Sequence, residues 1–173
     1  MGLFNWFKKQ NTEDLLELPT NQKNSFVSKA NITQEKERSF SPQEIETIEH
    51  KVITLLNAKG EKAAINHACQ LLKTGAYLQA VYAFQKIMDL LPAQKGLCEN
   101  QIGAAYFFLH QYQDAFNHYL LSLEYNFDTK MLDYNLWEAA EAYFKITGDH
   151  SLVKIYLNRF PNGDFQQAAQ ELS

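Results

Sequence analysis

Only two cysteines, Cys69 and Cys98, occur in the 173 residues, and the span between them holds no CxxC pair and no histidine cluster. Neither a disulfide framework nor a zinc site is signalled, no metal or cofactor is expected, and a reducing cytoplasm fits best. A basic excess is missing as well: 16 Lys and Arg stand against 20 Asp and Glu, a formal net charge of -4. Nucleic-acid binders neutralise phosphates with a basic face, so nucleic acid is not an expected partner. Long alternating β-branched runs are absent, which argues against any sheet.

The N-terminus also lacks the marks of processing. In Met1-Gly2-Leu3-Phe4-Asn5-Trp6-Phe7-Lys8-Lys9 the apolar part precedes the lysines and is far shorter than a secretory h-region, so no signal peptide is expected. Gly2 invites N-myristoylation, but Trp6 stands where that pattern requires Ser or Thr.

What is present is packing material. Hydrophobic residues make up 46% and aromatics 13%, too much to leave the whole chain disordered, and the length suits one domain with appendages. Residues 1–9 form an amphipathic tip, and residues 10–41 are dominated by Asn, Gln, Thr, Ser, Lys and Glu and read as a disordered polar linker. A helical domain then fills 42–173. Ser41-Pro42-Gln43-Glu44 is a capping box with Pro at the first helical position. Ile45, Ile48, Val52, Leu55 and Leu56 follow at helical spacing, predicting a leading helix over 42–58 that ends before Gly60.

A repeat follows. Gly75-Ala76-Tyr77-Leu78-Gln79-Ala80-Val81-Tyr82-Ala83-Phe84 runs to a closing Pro92; a second unit carries Gly103-Ala104-Ala105-Tyr106, then Tyr112, Ala115 and Tyr119; a third carries Ala140-Glu141-Ala142-Tyr143, then Gly148-Asp149, and stops at Phe160-Pro161-Asn162-Gly163. Small residues let two helices approach while Tyr or Phe fills the space beside them. This pattern, over roughly 61–163, resembles the tetratricopeptide repeat. The resemblance implies an all-α fold, an α-α superhelix of about three tetratricopeptide helix pairs over about 61–94, 96–129 and 133–163, with a leading helix and a short C-terminal capping helix over 164–173. The units are slightly long: Leu71 to Tyr106 is 35 positions and Tyr106 to Tyr143 is 37, against about 34.

The resemblance also implies that the first helix of each pair lines a concave groove for a peptide or helix of another protein. Ile65, Cys69, Leu72 and Lys73 are the expected groove positions of the first unit, offset from the packing stripe of Ala64, Ala68 and Leu71. Asn100, Ala104, Phe107 and Phe108 are those of the second, and Tyr134, Trp137, Glu138, Glu141 and Phe144 those of the third. The partner surface is therefore expected to be apolar and basic, with Trp137 and Phe107 as the principal anchors. Against this stands the plainer reading that helical stripes of Phe and Tyr are core. Tetratricopeptide proteins that hold chaperone C-termini clamp a carboxylate with Lys and Asn, but the matching first-unit positions here hold Ile65 and Cys69, so that activity is not expected.

No catalytic constellation is legible. His50, His67, His110, His118 and His150 are scattered, and the closest pair, His110 and His118, lacks an acidic residue at ligand spacing. Glu138 and Glu141 share a helix face and read as an acidic patch before a metal or acid–base pair. Cys69 reads as a small buried hydrophobe. The chain is therefore expected not to be an enzyme, and a hydrolase or toxin with a dispersed site is set aside.

Leu3, Phe4, Trp6 and Phe7 fall on one side of a helix with Lys8 and Lys9 beyond. Burying those four side chains gains at most ~6 to 12 kcal/mol, while ordering the segment takes ~7 to 14 kcal/mol. Each lysine adds ~1 kcal/mol on an anionic membrane, so the tip alone predicts weak, reversible contact at the inner face of a membrane. From residue 42 onward there are 15 acidic and 10 basic residues, so self-docking of the basic tip on the acidic body is an alternative role. The preferred function is an adaptor or chaperone-like scaffold, in overall plan similar to the translocator chaperones of bacterial secretion systems. The alternative is a membrane-associated assembly factor, and a homodimer is left open.

Overall fold

Apolar side chains recur three and four residues apart from Ile45 onward, and the chain answers with helices throughout. A computed structural model describes residues 39–125 and 128–173. The amphipathic tip over 1–9, and the linker over 10–41 except its last three residues, lie outside the described residues. Two compact units divide the chain, Met1–Ser41 and Pro42–Ser173; the following concerns the second.

Eight α-helices make up this unit among the described residues, and no strand occurs among them. They are α1 (Pro42–Lys59), α2 (Glu61–Lys73), α3 (Tyr77–Leu90), α4 (Lys95–Phe108), α5 (Tyr112–Tyr125), α6 (Thr129–Thr147), α7 (Ser151–Arg159) and α8 (Gln166–Leu172), with one 3-10 turn, Pro92–Gln94, before α4. Each helix packs on its neighbour in the chain, and α1 also lies on α3. This is the sequential packing of an all-α superhelix built from helix pairs, with a leading helix and a short closing one. The first helices of the three pairs start at Glu61, Lys95 and Thr129, which are 34 residues apart each time.

Small residues set how closely the pairs approach. Ala64, Ala68, Ala80 and Ala83 are fully buried and let Phe84, Ile87 and Ile102 fill the first core, which Val52 of the leading helix joins. At the crossing of α4 and α5 the small residue is Gly103: a Cβ there would lie 2.7 Å from Tyr119 Cδ1 and 3.2 Å from the carbonyl oxygen of Ala115. Ala115, Tyr119, Ala139 and Ala142 form the second core cluster. α6 starts at Thr129, ahead of the 133 boundary expected for the third pair, because Asp128 caps it, Oδ1 accepting from the backbone N–H groups of Lys130 (2.9 Å) and Met131 (3.2 Å).

The turns inside the first two pairs are the same device made with different residues. After α2, Ala76 N–H bonds Leu71 O at 2.9 Å and Gly75 N–H bonds Leu72 O at 3.2 Å, with Gly75 at φ +81°. After α4, Gln111 N–H bonds Tyr106 O at 2.9 Å and His110 N–H bonds Phe107 O at 3.0 Å, with His110 at φ 61°. Both are Schellman closures, whose left-handed residue is ordinarily glycine. His110 carries the strain of a Cβ in that region and recovers part of it through Nδ1, 2.8 Å from Tyr112 Oη. His110→Gly is expected to be more stable than His110→Ala by about 1 kcal/mol, since both lose the contact to Tyr112 and only the glycine relieves the backbone. Urea unfolding of the two variants measures the difference.

Candidate protein-binding face

The polar residues of α4 and α6 form the most organised cluster in the unit. Asn100 is 4% exposed and Asn135 fully buried. Asn100 Nδ2 donates to Asn135 Oδ1 at 2.8 Å and also to Glu138 Oε2, while Asn100 Oδ1 accepts from Gln101 Nε2 at 2.8 Å. Glu99, beside this chain of bonds, is buried and lies 2.8 Å from His118 Nδ1 on α5, and the His118 ring stacks on Tyr106 at 5.3 Å. Sequence spacing assigned His118 no acidic neighbour; folding supplies Glu99 from 19 residues earlier.

Burial governs the carboxylates. The Glu138 carboxyl is pushed up from the ordinary 4.5 to about 7 by loss of solvent; the Asn100 bond pulls it back in part and Glu141 pushes further. Glu141, half-buried one turn along, is also raised by burial, with Lys145 opposing. The buried Tyr119 phenol is raised by desolvation and then by both carboxylates, which places it within their field. Two carboxylates three residues apart can accept a cation or donors, but among the described residues no group of three or more His, Cys, Asp or Glu is placed to hold a metal ion.

The expected groove residues do not form one uniform surface. Ile65, Cys69 and Leu72 are half-buried and pack against the first core, leaving Lys73 exposed. The Cys98 thiol, fully buried on α4, is pushed up to about 12 by burial and then by Glu99 and Cys69. Ala104 is half-buried. Phe107 packs on the second core and meets the Tyr112 ring edge-on at 5.2 Å. Phe144 is half-buried against His150 at 4.8 Å. Phe108 is the outlier: it is 55% exposed, and its ring stacks on Tyr77 at 5.4 Å and 14°. Tyr134 keeps 36% exposure beside Phe165.

Trp137, expected as a principal groove anchor, is core. It is 7% exposed, stacked on Phe165 at 5.7 Å and edge-on to Tyr156 at 5.5 Å. The segment after α7 delivers Phe165. Tyr156 Oη donates to Asp133 Oδ1 at 2.6 Å and accepts from the Phe165 N–H at 3.1 Å, and the Asp164 N–H donates to Asp133 Oδ2 at 3.0 Å. Gly163 makes this clasp fit, since a Cβ there would lie 2.5 Å from Tyr156 Oη. The shallow cleft outside the clasp is flanked by Lys130 and Arg159, but its buried charge, Asp133, already has these partners.

Sequence reading passed over Tyr77, Asn135 and Tyr119 as members of this face. One signal for Asn135 was present: Asn66, Asn100 and Asn135 recur at intervals of 34 and 35, within one residue of the 34-residue spacing of the helix starts. Tyr119 was read as packing only, and Tyr77 lies on a second helix, outside the positions assigned to the groove.

Two measurements test these assignments. The unfolded chain releases the Glu138 proton near 4.5 and the folded chain near 7. Between those values the folded state binds more protons, so stability falls as pH rises. Glu138→Gln is expected to match the wild type below this window and to exceed it above by about 3 kcal/mol, read from urea midpoints across pH. Tyr156→Phe strips a partner from Asp133 and from the Phe165 N–H, and is expected to destabilise by about 1 to 3 kcal/mol. In a Trp6→Phe background, Trp137 fluorescence should then shift to the red and become more accessible to quencher.

No protein-family model, curated protein or solved structure matches this chain.

Proposed function

We propose that the chain is a non-catalytic protein-interaction module of the tetratricopeptide type, an adaptor or chaperone-like scaffold that holds an apolar, basic segment of another protein. Three helix pairs whose first helices start 34 residues apart support the repeat reading, because that is the period of this family. The packing of Gly103 against Tyr119 is the small-for-aromatic exchange such pairs use.

The observation that carries the binding role is the solvated ring pair Tyr77–Phe108. Phe108 is 55% exposed although stacked, and covering such a side chain stabilises a complex by about 1.5 to 3 kcal/mol. The half-buried carboxylates Glu138 and Glu141 add the acidic component. A cytoplasmic setting fits the two thiols, both free and both held protonated by burial. Among the described residues no helix is long and apolar enough to cross a membrane.

Quantitative affinity capture from native lysate tests the reading, with full-length wild type beside a Phe108→Ser, Glu138→Gln double variant of equal helicity. A set of proteins depleted about tenfold or more on the variant is the expected result. Identical capture by both baits would show that neither feature takes part in binding.

A further inference from the structure

The bonding order around Asn100 fixes which polar group is left over. Asn135 Nδ2 is fully buried and has no hydrogen-bond partner. Exchanging the oxygen and nitrogen of Asn135 alone would set N–H against the Asn100 N–H. Turning Asn100 as well would aim its carbonyl at the Glu138 carboxylate and break the bond from Gln101 Nε2. With Glu138 ionised, the unpaired group is therefore a donor. The amide that carries it is a neighbour of Glu138, because Asn135 Oδ1 and Glu138 Oε2 share the single nitrogen of Asn100 and so lie within about 6 Å of each other.

The carboxylates have the opposite deficit. Lys86 pairs with Glu49, and His118 Nδ1 lies against Glu99, whereas neither Glu138 nor Glu141 has a cationic side chain at that distance among the described residues. Lys145, one turn beyond Glu141, is exposed and acts on it only through space. A buried donor without an acceptor and a half-buried carboxylate without a cation are both unfavourable in the free chain. One ligand type corrects both: a group with a carbonyl oxygen and, a few ångströms away, an ammonium or guanidinium.

We propose that Asn100, Asn135, Glu138 and Glu141 form a recognition subsite for one lysine or arginine residue of the bound segment, its cationic head on the two glutamates and its carbonyl oxygen on Asn135 Nδ2. Because Nδ2 is enclosed in the free chain, the carbonyl reaches it after the side chains over it move aside. This rests on the reading of the chain as a protein-binding module, and it narrows the partner to one with a basic residue at a fixed place among apolar ones. Asn100 is a positioning residue, since its amide sets the orientation of both neighbours.

Phage-displayed random dodecapeptides, selected on the full-length protein, provide the probe. The expected result is a family of peptides sharing one Lys or Arg among apolar residues. Replacing that residue by norleucine should weaken binding to wild type about tenfold or more by fluorescence anisotropy, and should change binding to Glu138→Gln by a factor near one. The norleucine arm alters no residue of the protein, and glutamine at 138 still accepts from Asn100, so loss of fold does not imitate the result. Peptides without a shared basic residue, or an equal norleucine effect on both proteins, would overturn the subsite and leave the module standing. Recovery of no peptide at all would overturn the module and the subsite with it.

Discussion

The approach of α4 to α5 at Gly103 is the contact on which the middle of the molecule depends. With no side chain at 103, the Tyr119 ring lies against the α4 backbone, and its hydroxyl is carried into the field of the α6 carboxylates. Those carboxylates are themselves shielded from solvent, Glu138 more than Glu141. That exclusion makes Asn100 the donor on which Glu138 relies and raises the Glu138 proton affinity. A packing decision at one glycine thus becomes an electrostatic property of a different helix.

The scaffold was legible because local chemistry and tertiary packing ask for the same residues. Ala64, Ala68, Ala80 and Ala83 read as helix formers and are also the positions where neighbouring helices touch. Gly60 marked the end of the leading helix and Gly148 a turn, and both hold the left-handed backbone that only glycine adopts freely. His110 carried no such mark, because nothing in its surroundings along the chain distinguishes a histidine forced to positive φ from an ordinary one.

The candidate face was legible only in part, for two physical reasons. Periodicity assigns a residue to a side of its own helix but says nothing of what arrives later to cover that side. Trp137 points as its spacing implies, yet Phe165 from beyond the repeats closes over it. Hydropathy, in turn, places asparagine outside. Asn100 and Asn135 lie inside joined by a hydrogen bond across two helices, a pairing that no single-residue scale contains. Phe108 is the reverse case, an apolar side chain left largely in solvent though Tyr77 stacks on it and Phe107 meets it edge-on.

Each helix rests mainly on its neighbours along the chain, and this has a kinetic consequence. Most stabilising contacts close short loops, so the entropy of chain closure is met in small steps and the first stable pair can form anywhere along the array. Growth then proceeds outward pair by pair. Opening of the last pair breaks the Tyr156 to Asp133 clasp but none of the contacts of the first core, which draws on residues of other helices.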